Sequence, residues 1–112
     1  MNIQIYAHKR DFEVQKAERY FKERRIPYQF VDLNRHVMGL KELESVCRQV
    51  GISAMVALSD KDWQSHYVSQ LTDRQAALTA LRDQPKLLKT PIVRNGALAT
   101  VGYCPEVWAQ WK

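Results

Sequence analysis

The sequence predicts an α/β domain in which a β-α-β unit and a β-β-α unit build a mixed four-stranded sheet, with a helical insert over about residues 39–84. Three observations carry this. Short runs of alternating apolar residues mark strands, and apolar residues three and four apart mark helices. A strand, a helix and a strand follow one another within the first 33 residues, which requires a parallel pair. Near the C-terminus, Asn95-Gly96 between two apolar runs is a strong hairpin signal and adds an antiparallel pair.

The elements follow in order. Asn2–Tyr6 alternates, with Ile3 and Ile5 on one face, and reads as a strand. After the polar turn Ala7-His8-Lys9-Arg10, Asp11 is placed to cap a helix, since its carboxylate can accept the free amide hydrogens of the first turn. Val14, Ala17 and Phe21 carry that helix to about Arg24. Ile26, Tyr28 and Phe30 alternate into a second strand ending near Asp32. Gly39 opens a helix whose apolar face is Leu40, Leu43, Val46, Cys47 and Val50, and Gly51 suits the position past its end. Ala54–Leu58 reads as a helical turn and Asp60–Ser65 as the start of another helix. Thr72 with Gln75 forms a capping box for a helix carrying Ala76, Leu78 and Leu81 up to Pro85. Ile92–Arg94 and Ala97–Ala99 flank the hairpin turn, and Cys104-Pro105-Glu106 starts a last helix bearing Trp108 and Trp111. Tyr103, Trp108 and Trp111 are expected in core or hinge packing.

The 112 residues, 46% hydrophobic and 26% charged, suit one packed domain over 1–112. No apolar run reaches the ~20 residues of a membrane helix, and the first residues lack the form of a signal peptide. A cytoplasmic protein is expected. Two distant cysteines are no disulfide framework, and His8, His36 and His66 show no metal-ligand spacing, so no metal is expected. The net charge of +5 allows an acidic partner. The basic residues are spread along the chain rather than gathered in a stripe, which argues against direct nucleic-acid binding.

The ordered elements are those of the thioredoxin fold with an inserted helical subdomain, and the residues go further. Tyr6, Asp11, Val14 and Lys16-Ala17 resemble the opening motif of the arsenate reductase (ArsC) family and its Spx-like relatives, roughly Tyr-Gly-x-x-x-Cys-x-x-x-x-Lys-Ala. Ile26-Pro27-Tyr28 with Val31-Asp32-Leu33 resembles the family's second strand, and Trp63 a tryptophan of the insert. Leu87-Leu88-Lys89-Thr90-Pro91-Ile92-Val93 is similar to Leu-Ile-x-Arg-Pro-Ile-Val, and Val101-Gly102-Tyr103-Cys104-Pro105-Glu106 to Val-Gly-Phe-x-Pro-Glu.

Aligned this way, the family's nucleophilic cysteine falls on Asp11 and the second cysteine of the Spx-type pair on Val14. The arginine before the proline is Thr90, the Asn-Arg pair of the insert falls near Ala57-Leu58, and the basic residue before the last Pro-Glu is Cys104. The resemblance implies a cis peptide before Pro91. In the family the arginines would hold an oxyanion and lower the thiol pKa; here the thiol and those charges are absent. Aspartate can cap a helix and repel oxyanions from the old anion site, but it cannot form a mixed disulfide.

The candidate site is therefore His8, Lys9, Arg10, Asp11, Thr90, Pro91 and Cys104. The simpler reading of His8, Lys9 and Arg10 is solvated charge on a turn, and of Thr90-Pro91 the shaping of a loop. Cys104 stands at a helix start, which favours a thiolate, against the simpler reading of a partly buried, inert thiol; Cys47 reads as core. Three functions are expected in this order: a catalytically degenerate family member that binds an unidentified protein or small molecule, a glutathione-type reductase using Cys104, and an Spx-like regulator contacting RNA polymerase.

Overall fold

The computed structural model describes residues 1–57, 62 and 73–111. Strand β1 (Ile3–Ala7) leads into helix α1 (Phe12–Glu23) and returns in β2 (Tyr28–Asp32). β1 and β2 pair in parallel, Ile3 beside Tyr28 and Ala7 beside Asp32. The reversal after α1 is made by Arg25, at φ 56°, and by the Ile26 N–H, which donates to the Phe21 carbonyl oxygen at 2.9 Å. β3 (Ile92–Asn95) pairs antiparallel with β1 and with β4 (Leu98–Val101). The sheet order β2-β1-β3-β4 is therefore mixed, as the sequence predicts.

Strand alternation divides the core between the two sheet faces. Ile3, Ile5 and Ala7 of β1 and Val93 of β3 pack on one side with Val14, Ala17, Tyr20 and Phe21 of α1, together with Trp108 and Trp111. Trp108 belongs to the last helix, α4 (Pro105–Trp108), and its indole N–H donates to Thr100 Oγ1 at 2.7 Å. Tyr6 and Ile92 point to the other face, against α2 (Leu40–Val50) and α3 (Arg74–Asp83), where Leu43, Val46, Cys47, Leu78 and Leu81 are buried. Cys47 is core, as expected. Tyr103, expected in core or hinge packing, is 40% exposed but packs edge-on against Trp108, with ring centres 5.6 Å apart.

Several boundaries differ from the sequence reading. β2 begins at Tyr28, leaving Ile26 in the reversal. Residues Ser53–Met55 form one 3-10 turn, and Val56 leaves it to bridge Leu88 antiparallel, so the turn ends at Met55. α3 is capped by Asp73, whose Oδ1 accepts the Gln75 N–H at 3.0 Å, rather than by Thr72. The shorter Asx cap serves the same first-turn amides one residue later. The hairpin loop is Gly96-Ala97: Asn95 is still paired with Leu98, and Gly96 takes φ 62° at the first loop position. Leu58, Trp63 and Thr72, and the helix start expected over 60–65 apart from Asp62, lie outside the described residues.

Candidate functional site

Asp11 takes extended backbone angles and its Oδ1 accepts the Val14 N–H at 3.0 Å, while its own carbonyl accepts the first helical bond from Gln15 at 2.9 Å. The negative carboxylate thus sits on the positive end of α1 and satisfies one of its free amides. The expectation that Asp11 caps α1 is met in full.

Its neighbours diverge. The His8 imidazole lies on the loop ahead of the cis proline, Nε2 at 3.3 Å from the Leu88 carbonyl oxygen, and the Asn34 side-chain amide donates to the His8 carbonyl. Lys9 is exposed. Arg10 turns away from Asp11: its guanidinium lies 3.9 Å from the centre of the Phe30 ring, and its Nε donates to Glu18 Oε1 at 3.0 Å. It is not one of the freely solvated charges of the sequence reading, because a buried carboxylate and an aromatic face hold it. Glu18 is 7% exposed and also accepts the Tyr28 hydroxyl hydrogen at 2.7 Å. Burial, then the Glu18 hydrogen bond and charge, push the Tyr28 phenol up to about 12.

The peptide between Thr90 and Pro91 is cis, as the resemblance implies. The Pro91 carbonyl accepts the Gly102 N–H at 2.8 Å. Gly102, at φ 89°, brings this loop to the first turn of α1, where a Cβ on it would lie 3.9 Å from Glu13 Oε2. Helix start, proline loop and residue 102 thus meet in one place.

Cys104 is only half in that place. Its Sγ donates to the Val101 carbonyl oxygen at 3.5 Å and lines an open groove of about 330 Å³ along β4 with Val50, Ala54 and Val107, and the residue packs against the cluster that includes Trp108. Burial raises the Cys104 thiol pKa, and the Glu106 carboxylate raises it further. This goes against the favoured thiolate and agrees with the simpler reading of a partly buried, inert thiol. The helix it precedes is a single turn, so its dipole is small, and an acidic residue follows within that turn. Among the described contacts none joins Cys104 to Asp11 or to Cys47.

Two clusters escape a linear reading. Glu18 is one: a charged residue four after Val14 on the apolar face of α1 was the available signal. The other surrounds Tyr6, whose hydroxyl lies 3.0 Å from both Gln4 Oε1 and Glu42 Oε2 and accepts from Arg94 at 3.4 Å. Its single hydrogen serves one acceptor at a time. Burial raises the Tyr6 pKa. This cluster ties β1 and β3 to the start of α2, where Glu42 Oε1 also accepts the Gly39 N–H at 3.4 Å. Among the described residues no three His, Cys, Asp or Glu side chains gather as metal ligands, and no helix is long and apolar enough to cross a membrane.

A cis-proline loop facing a helix start across a β2-β1-β3-β4 sheet defines the thioredoxin-like class. Within it, the model of the ArsC family matches residues 6–111, and the chain belongs to that family. Its fold is similar to that of an ArsC family related protein from Bacteroides fragilis, at 21% identity and TM-score 0.82, covering 100% of this chain and 98% of that one. It is also similar to an arsenate reductase from Vibrio cholerae, at 23% identity and TM-score 0.76, covering 96% and 94%. A third likeness is to an arsenate reductase related protein from Brucella melitensis, at 19% identity and TM-score 0.66, covering 99% and 94%. At these identities the likenesses establish the fold. Comparison with curated protein sequences returns no significant match.

Proposed function

We propose that this ArsC-family chain is a binding scaffold that does not reduce arsenate. The observation that carries the reading is the bond from the Val14 N–H to Asp11 Oδ1. In a thiol reductase of this class the first-turn amides would stabilise a thiolate and receive an oxyanion. Here a carboxylate takes the place, bonds one of those amides and adds negative charge where an anion would arrive. No cysteine stands anywhere in residues 1–46 to replace it. Cys104, the less buried of the two cysteines, is turned to a backbone carbonyl and carries a raised pKa.

The test is arsenate reduction by the purified protein with glutathione and glutaredoxin. Turnover at the level of the protein-free control is expected. Turnover well above it that disappears in Cys104→Ser would overturn the reading and make Cys104 the nucleophile. The variant lacking both cysteines serves as the control for a contaminating reductase.

A further inference from the structure

The outward face of α1 carries cations that the fold leaves without carboxylates. Lys16, Arg19 and Lys22 take part in none of the ion pairs among the described residues. The natural helical partner of Lys22 is Glu18, four residues earlier. Glu18 is instead buried and engaged by Arg10 and Tyr28. That arrangement also fixes Arg10: its Nε bond and its stacking on Phe30 hold the guanidinium at the rim of an open groove of about 370 Å³ lined by Arg10, Gln15, Glu18, Arg19 and Lys22. Arg19 is shared with a second groove of about 370 Å³ that continues past Lys16 to Tyr103.

At the N-terminal end of this face stand two exposed aromatic rings. Phe12 is 71% exposed and Tyr103 is 40% exposed. The Lys16 ammonium lies between them, 4.8 Å from the Phe12 ring centre and 5.3 Å from that of Tyr103. Exposed aromatic rings and arginine are enriched at recognition surfaces, and here Phe12, Tyr103 and Arg19 lie on one face.

We propose that the α1 face carrying Arg10, Lys16, Arg19 and Lys22, with Phe12 and Tyr103 at its end, docks an acidic peptide segment of a partner protein that also bears aromatic side chains. The charge complementarity selects an anionic partner. The carboxylates of Glu13 and Glu23 on the same helix oppose a continuous phosphate backbone, whereas a peptide can space its carboxylates between apolar residues that cover Phe12 and Tyr103. The grooves are open rather than enclosed, which suits a chain laid along the helix. This surface lies beside the helix start and deepens the scaffold reading, on which its biological use rests, by naming the kind of partner bound.

The probe is a short fluorescein-labelled peptide alternating glutamate and phenylalanine, titrated with the full chain by fluorescence anisotropy. A lysine-phenylalanine peptide and a single-stranded oligonucleotide run alongside. Saturable binding of the acidic peptide is expected, weakened by at least about tenfold in the double variant Arg19→Glu, Lys22→Glu, and severalfold in Phe12→Ser. Phe12 is so exposed that its replacement leaves the fold intact. The double variant Lys41→Glu, Lys86→Glu makes the same change of net charge at exposed positions elsewhere and is expected to bind like the parent. Absence of saturable binding, equal loss in both double variants, or tighter binding of the oligonucleotide than of the acidic peptide would overturn the proposal. Arsenate turnover is read separately, so the docking surface and the scaffold reading can each fail without the other.

Discussion

Replacing Asp11 separates a capping residue from one kept for another purpose. Asp11→Ala removes the acceptor of the 3.0 Å bond from the Val14 N–H together with the charge on the positive end of α1. Loss of an aspartate cap costs about 1 kcal/mol, within a range of about 0.5–2. Because Asp11 is only partly buried, its charge contributes toward the low side of the roughly 0.3–1 kcal/mol that a carboxylate gains at a helix start. Asp11→Asn keeps an acceptor and loses that charge, so it falls between the parent and the alanine variant. For a domain of this size about 1 kcal/mol corresponds to roughly 4 °C in Tm. Urea unfolding followed by tryptophan fluorescence reads the change, since Trp108 and Trp111 are buried. Repeating it at high salt screens the charge–dipole part, so the gap between parent and Asn closes while that between Asn and Ala stays. An alanine variant as stable as the parent, or more stable, would refute the capping account. It would mean that the carboxylate is retained at a cost to stability, as groups that contact a ligand often are.

Two further outcomes follow from the shifted groups. Cys104, its pKa raised by burial and by Glu106, is expected to alkylate in the native protein with a pH midpoint above that of the urea-unfolded chain, resolved from Cys47 by peptide mapping; a native midpoint below the unfolded one would restore a reactive thiol. Tyr28, at about 12 against an ordinary 10.0, favours the neutral phenol in the folded state, so its contribution to stability is complete below pH 10 and is lost as the pH rises through about 12. Tyr28→Phe is expected to remove a late phase from the phenolate absorbance titration and to flatten the alkaline fall in stability; an unchanged titration would refute the Glu18–Tyr28 pairing.

The core arrangement was legible because it is written in near-neighbour patterns. Ile3 and Ile5 alternate, Val14, Ala17 and Phe21 recur at helical spacing, and Asp11, Gly39 and Gly51 mark helix ends whose geometry depends on residues within one turn. The errors fell where two local solutions compete. Asp73 caps a helix as well as Thr72 would, and the glycine of Asn95-Gly96 serves a loop shifted by one residue, because the register is set by Ile92 pairing with Val101 and with Tyr6 rather than by the turn alone.

The site was legible only in part. That residue 11 is a carboxylate and that no thiol precedes residue 47 are properties of the chain as written, whereas the cis-proline loop is implied only by the family resemblance. Where the charges point is not such a property. From its sequence neighbours Arg10 reads as a solvated turn charge, and Cys104 as either a helix-start thiolate or the simpler partly buried, inert thiol. Packing sent Arg10 to a glutamate eight residues away and to the ring of Phe30, and turned Cys104 toward the Val101 carbonyl beside Glu106. A side chain's electrostatic environment is the sum of groups brought near by the fold, and those contacts exist only once the sheet and its two helical layers have closed.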